Sequence, residues 1–252
     1  MKYVLLFVLL YIFLIKPPFK TKNVKGLYTH RGFYKKDQSV LENSLEAFSA
    51  SIDHNYGIEL DVQLSSDNVV YVFHDEDLNR LLGQDVLLKD LSSQEIDELQ
   101  INGHKIPKFN EVLELVDGQV PLIVELKPKG NYVLLAEKTV ALLDSYNGDF
   151  VVESFDPRIV FWFRVHRPNY TRGQLIMEPK EYEKPILVRI WTSLWINFLT
   201  RPHFMAVHKH LFPLSLNLKI YHWLGGSIVS WTIHKEDPYY KEDAIIFEFY
   251  EA

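Results

Sequence analysis

At 252 residues, 47% of them hydrophobic, the chain is long enough to bury one core of barrel size. A formal net charge of −6 leaves no basic face of the kind nucleic acid requires, and that class of partner is excluded. The absence of cysteine excludes disulfides, zinc–thiolate sites and cysteine nucleophiles.

Residues 3–15 are all apolar or aromatic, with Lys2 before them, Lys16 after them, and then Pro17 and Pro18 to stop a helix. Such a helix reaches about 20 Å. A hydrocarbon core is roughly 30 Å thick, so the segment spans only by thinning the bilayer or by snorkelling of its lysines. Residues 13–25 offer no small-residue cleavage pattern, which favours a retained anchor over a removed leader. A first helix buried in the globule is the alternative. Lys16, Lys20, Lys22 and Lys25 outnumber Lys2, a bias that places the main domain on the cytoplasmic side. The expectation is a membrane-associated protein, with residues 1–22 as hydrophobic anchor and linker and residues 23–252 as the main domain.

A strand is expected at residues 26–29, ending in His30, Arg31 and Gly32. Asn43 or Ser44 then starts a helix that runs to about Asn55, with Gly57 beyond its end. In the next strand, residues 57–64, Ile58, Leu60, Val62 and Leu64 share one face, and Glu59, Asp61 and Gln63 share the other. Two carboxylates side by side raise each other's pKa unless a cation lies between them. A shared hard metal ion resolves the repulsion, and a solvated polar face is the competing explanation.

A turn at Asp67 and Asn68 leads to a strand at residues 69–73, ending at His74 and Asp75. Residues 66–108 form an excursion with one short helix at 92–99. Helices at 110–116, 132–145, 157–166, about 186–199 and 214–224 then alternate with strands at 121–127, 150–154, 172–177, 205–208, 228–233 and 244–249. Eight main strands in alternation with helices predict a closed parallel (β/α)8 barrel of the TIM type, with an insertion after its second strand. In that fold catalytic groups sit at strand C-terminal ends, where His30, Glu59, Asp61, Glu125 and Lys127 all fall.

On the third main strand Glu125 and Lys127 share a face, either as a buried ion pair or with Glu125 as a third metal ligand. Three carboxylates with open positions suit one divalent cation, Ca²⁺ or Mg²⁺, able to polarise a phosphoryl oxygen. His30 and His74 are the natural acid–base pair, and Arg31 and Lys127 the phosphate-binding cations. His203, His208 and His210 are spaced as incidental histidines rather than as a second metal site. Trp191, Trp195 and Phe198 form a stripe read as the barrel-facing side of an outer helix, with a lipid-contacting surface as the alternative.

His30-Arg31-Gly32, the run Glu42-Asn43-Ser44-Leu45-Glu46-Ala47-Phe48, Glu59-Leu60-Asp61-Val62, Phe73-His74-Asp75 and Glu125-Leu126-Lys127 come in the order and spacing of the glycerophosphodiester phosphodiesterases. Ser154-Phe155-Asp156-Pro157 and Trp231-Thr232-Ile233 resemble the later signatures of that family. The resemblance implies a TIM-type barrel and metal-assisted hydrolysis of a glycerophosphodiester to glycerol phosphate and an alcohol. It also implies Glu59, Asp61 and Glu125 as metal ligands, His30 and His74 as acid–base pair, and Arg31 and Lys127 on the phosphate. Glu42 is expected behind the site or as an additional ligand, and Trp231 in the glycerol pocket or filling the barrel mouth. The chain departs from the family pattern at His234 and at Phe247-Glu248. Two further readings stay open: a lysophospholipid or phosphatidyl-headgroup phosphodiesterase, and a non-catalytic binding protein on the same barrel.

Overall fold

The first helix, α1, spans Lys2–Ile15, and the first strand, β1, spans Gly26–Thr29. The computed structural model describes residues 2–18, 24–127, 129–178, 194–238 and 242–252. Helix α2, Leu45–Asp53, starts where expected because the Ser44 hydroxyl accepts from the Ala47 amide and satisfies one of the free N–H groups of the first turn. Strand β2, Gly57–Leu64, follows it. The excursion then holds β3 (Val70–Val72), β4 (Asp77–Leu78), α3 (Asn79–Leu82), β5 (Gln84–Leu87) and α4 (Ser93–Glu98).

Regular alternation resumes with α5 (Phe109–Val116), β6 (Leu122–Leu126), α6 (Tyr132–Leu143), β7 (Phe150–Ser154), α7 (Pro157–His166) and β8 (Arg172–Ile176). A short α8 (Asn197–Thr200), β9 (Phe204–His208), α9 (Leu216–Trp223), β10 (Ser227–Ile233) and β11 (Ala244–Phe247) complete the described chain. The last strand ends two residues before the expected 249, where Phe249 turns into the left-handed region at φ 64°.

Strands β1, β2, β6, β7, β8, β9, β10 and β11 pair in parallel, and β11 pairs back onto β1, so the sheet closes into the expected barrel. Strand β3 adds antiparallel to β2 through Val62–Val72. Alternation sends Ile58, Leu60 and Val62 outward into the layer packed under the helices, with Leu122, Val124 and Leu126 from β6. Ile123, Val151, Leu175, Phe204, Ala206, Val229 and Ile246 fill the interior instead. The polar residues of β2 and β6 therefore face the barrel axis.

The expectation of a membrane-crossing segment at the N-terminus finds no support. Among the described residues, no helix is long and apolar enough to cross a membrane. Helix α1 has 14 residues, and its last turn belongs to the globule. Ile15 is fully buried, Tyr11 and Leu14 pack on a cluster with Leu194, Leu218 and Tyr221, and Arg201 Nη1 donates to the carbonyls of Phe13 and Lys16 at 2.7 and 2.9 Å. The first half of the helix is exposed. The aromatic stripe is corrected: Trp195 and Phe198 are exposed while Leu194 is buried, and Trp191 lies outside the described residues.

Candidate active site

Glu59 and Asp61 leave β2 on the axial face, and parallel register brings Asp61 opposite Glu125 of β6. One carboxylate oxygen from each of Glu59, Asp61 and Glu125 lies within 4.8 Å of the others, and all three residues are buried. Lys127, next after β6, puts its Nζ 2.8 Å from Asp61 Oδ1 and 2.9 Å from Glu125 Oε1. The approach to Glu125 Oε1 is off the hydrogen-bond direction, so this oxygen is buried beside a cation but without a hydrogen bond. Asn43 Nδ2 donates to Asp61 Oδ2 at 2.9 Å, and the Arg31 amide donates to Glu59 Oε2 at 3.0 Å.

Burial pushes the Glu59 carboxyl well above the usual range, with Asp61 and Glu125 adding repulsion. Burial also raises Glu125, to about 7, against the opposing pull of Lys127. Burial would raise Asp61 too, but Lys127, His74 and Arg31 overcome it and hold that carboxyl well below its ordinary value. A buried, mutually repelling oxygen set with one unbonded oxygen is what a hard divalent cation satisfies, so the residues fit such an ion.

Both histidines stand on carboxylates. His30 Nδ1 is 2.8 Å from Glu248 Oε2, and His74 Nδ1 is 2.7 Å from Asp75 Oδ1. Although burial opposes it, hydrogen bonds from their partners hold Glu248 and Asp75 at about 2, so each is an ionised, acceptor-only group near neutral pH. Each histidine therefore donates from Nδ1 and keeps its Nε2 lone pair for other work. Burial lowers the pKa of His30, with Arg31 adding to the effect, and burial with Lys127 lowers His74 to about 4. Both rings are neutral at pH 7. Together with Arg31, Glu59, Glu125 and Lys127 they line one cavity of about 170 Å³ at the C-terminal mouth of the barrel.

Glu42 is drawn away from the carboxylate cluster. It accepts from Arg31 Nη1 at 2.8 Å and from Arg80 Nη1 at 2.9 Å, while Arg80 Nε also reaches Asp75 Oδ2 at 2.6 Å. This chain of charges ties Arg31 to the carboxylate that orients His74. Trp231 lines the cavity with its ring against Phe155, centroids 5.5 Å apart. His203 sits at the opposite end of β9 from His208, and among the described residues no histidine belongs to a metal-competent group.

Sequence reasoning missed Glu248, Asp75, Arg80, Asn43 and Glu153 as parts of this neighbourhood. Asn43 and Asp75 stood in the motif runs and Glu248 among the departures, without an assigned role. The departures at His234 and Glu248 are hydrogen-bonded to each other, His234 Nε2 to Glu248 Oε1 at 2.9 Å, and Tyr34 donates to the same carboxylate at 2.7 Å. Glu153 is a lone acid on an apolar strand, opposite Glu125 in the sheet.

Comparison with known proteins agrees with the fold and places the chain in a family. A glycerophosphodiester phosphodiesterase of Caldanaerobacter subterraneus subsp. tengcongensis is 33% identical over 141 residues, half of this chain and 56% of that enzyme. One from Bacillus altitudinis is 29% identical over 178 residues, 64% of this chain and 71% of the other. The chain thus spans little more than half the length of some of the relatives it matches. A Thermotoga maritima glycerophosphodiester phosphodiesterase structure superposes with a TM-score of 0.68 at 28% identity, covering 90% of this chain and 95% of that one. An Oleispira antarctica phosphodiesterase, solved with its product sn-glycerol-3-phosphate, superposes at 0.72 with 20% identity, over 89% and 93% of the two chains, and shares the fold. The family model for glycerophosphoryl diester phosphodiesterases matches residues 30–248, from the end of β1 to the carboxylate that holds His30, and the chain belongs to that family.

Proposed function

We propose that the chain hydrolyses glycerophosphodiesters to glycerol phosphate and an alcohol, with one divalent cation and a pair of histidines. The observation that carries this reading is the juxtaposition of three buried carboxylates within 4.8 Å and two carboxylate-oriented imidazoles on one small cavity. Glu59, Asp61 and Glu125 would hold Ca²⁺ or Mg²⁺, which when bound supplies charge to polarise a phosphoryl oxygen.

The chain's own residues supply the remainder. Arg31 and Lys127 place positive charge beside the phosphate, and the Glu42–Arg80–Asp75 chain keeps Arg31 and His74 in register. One neutral imidazole takes a proton at Nε2 from the attacking oxygen and later releases it to solvent, while the other, loaded with a proton from solvent as the anionic diester raises its pKa, gives that proton to the leaving alcohol oxygen. Their carboxylate partners hold the Nδ1–H tautomer and stabilise each ring as it becomes imidazolium. The test is release of glycerol phosphate from glycerophosphocholine by the full chain, with EDTA and with Ca²⁺ or Mg²⁺ restored. Activity that EDTA removes and a cation restores supports the reading, and silence of a folded, cation-supplied protein overturns it.

A second reading keeps the chemistry and takes a lysophospholipid. The apolar side chains that α1 leaves exposed, Tyr3, Leu6 and Phe7 among them, support it as a lipid-contacting segment. Turnover of a micellar lysolipid in strong preference to the soluble diester would favour it.

A further inference from the structure

Glu153 has no part in the chemistry above. It lies on β7 between Val151, which is in the interior core, and Phe155, which packs against that core at the mouth. Its side chain therefore points to the barrel axis. It is 2% exposed, and its Oε2 has no hydrogen-bond partner. The neighbouring strands do not supply one: opposite it stand Glu125 on β6 and Gly173 on β8, and the space beside Gly173 is filled by the Phe204 ring. A buried polar atom left unpaired is costly, so its retention asks for a partner that arrives from outside.

A second unpaired group lines the same cavity. Trp231 Nε1 is buried without a hydrogen-bond partner, and Trp231 and Glu153 both border the space of about 170 Å³ that contains the histidines. The two groups differ in kind. An indole N–H only donates, whereas a carboxyl oxygen accepts. A quaternary ammonium offers neither a donor nor an acceptor, and a primary ammonium cannot accept from the indole. A hydroxyl group both donates and accepts. Leu175 and Ile246 complete that side of the cavity with apolar surface suited to a short carbon chain.

We infer that Glu153 is a specificity-determining residue that accepts a hydrogen bond from a hydroxyl of the glycerol moiety, with Trp231 Nε1 donating to the same polyol. The inference rests on the proposed function and deepens it. The phosphate end of the substrate meets Arg31, Lys127 and the carboxylate cluster, and the glycerol end lies toward β7, β8 and β10. The leaving alcohol extends out of the mouth, where neither group reads it.

Calorimetric binding to the full chain, with Ca²⁺ and again with Mg²⁺ present, tests this without turnover. The ligands are sn-glycerol 3-phosphate and n-propyl phosphate, which lacks both free hydroxyls. The wild type is expected to prefer the glycerol compound by about tenfold or more, because a site built for a hydroxyl rejects the analogue that lacks it. Glu153→Leu should bring the ratio toward one while leaving affinity for the analogue within about threefold, and Glu153→Gln, whose amide oxygen still accepts, should keep part of the preference. An unchanged ratio in a folded Glu153→Leu or Glu153→Gln protein overturns the assignment, as does equal loss of both ligands, which marks a purely structural role. A wild type that binds both ligands equally overturns this inference alone. A wild type that binds neither overturns the proposed function and the inference with it.

Discussion

Glu248 holds three donors at once: His30 Nδ1, the Tyr34 hydroxyl and His234 Nε2. Replacing it by Gln removes the negative charge that steadies the His30 imidazolium and raises its pKa. Glu248→Gln is expected to lower kcat by roughly tens-fold and to move the His30 limb of the pH–rate profile to lower pH, read from kcat against pH. On the proposed mechanism, His74→Ala, which removes one of the two imidazoles, should cost about 10²–10⁴ in kcat with the circular dichroism spectrum unchanged. A third residue acts on stability. His203 is buried and its pKa is lowered from 6.5 to about 4 by burial, then by Arg172. Because the folded pKa lies below the unfolded one, its contribution is fully present above pH 6.5 and is lost as pH falls through 4. The difference amounts to something on the order of 3 kcal/mol, and urea unfolding of wild type and His203→Asn at pH 7 and pH 4.5 should show the wild type losing more. Residues such as His30, Glu59 and His74 were legible in the sequence because they sit at strand ends in recognisable short runs. Glu248 was not legible as the partner of His30, because 218 positions separate the two and only closure of the barrel brings them together.

At the scale of elements, β2 was the most legible, since a period of two with acids on one face and aliphatics on the other fixes which side meets the core. Strand β7 was less so. Residues 150–153 are apolar up to a single acid, and the direction of Glu153 follows only once the core on either side of it, Val151 and Phe155, and its register against Glu125 are known. Helix α1 misled for a physical reason: an unbroken apolar run is compatible with lipid and with a protein surface alike, and the docking of Tyr11, Leu14 and Ile15 depends on α8 and α9, which are remote in sequence. Contacts between adjacent strands also set limits that a sequence pattern does not display. A Cβ built on Gly173 would lie 2.2 Å from the fully buried Phe204 ring. Gly173→Ala is therefore expected to destabilise the fold by about 1–3 kcal/mol, seen as a lower urea midpoint with an unchanged m-value.

For the whole molecule, the alternation of strands and helices from residue 57 onward made the barrel legible, while closure required the observed pairing of β11 with β1. The carboxylate cluster joins β2 to β6, so a cation that binds only the folded chain should stabilise all of it. At about 100 times its Kd the ion adds roughly 2.7 kcal/mol, and EDTA should lower Tm correspondingly in a thermal scan, with Asp61→Asn insensitive to the chelator. The same closure has a temporal consequence. His30 emerges early in synthesis and its carboxylate partner Glu248 comes just after the closing strand. Contacts this distant in sequence form late in folding. A ribosome-bound or partly folded chain thus already carries the carboxylates and both imidazoles, yet with His30 free to rotate and without a fixed tautomer. On the proposed function, full competence waits on completion of the fold, and the cleavage proposed above would return later than secondary structure during refolding.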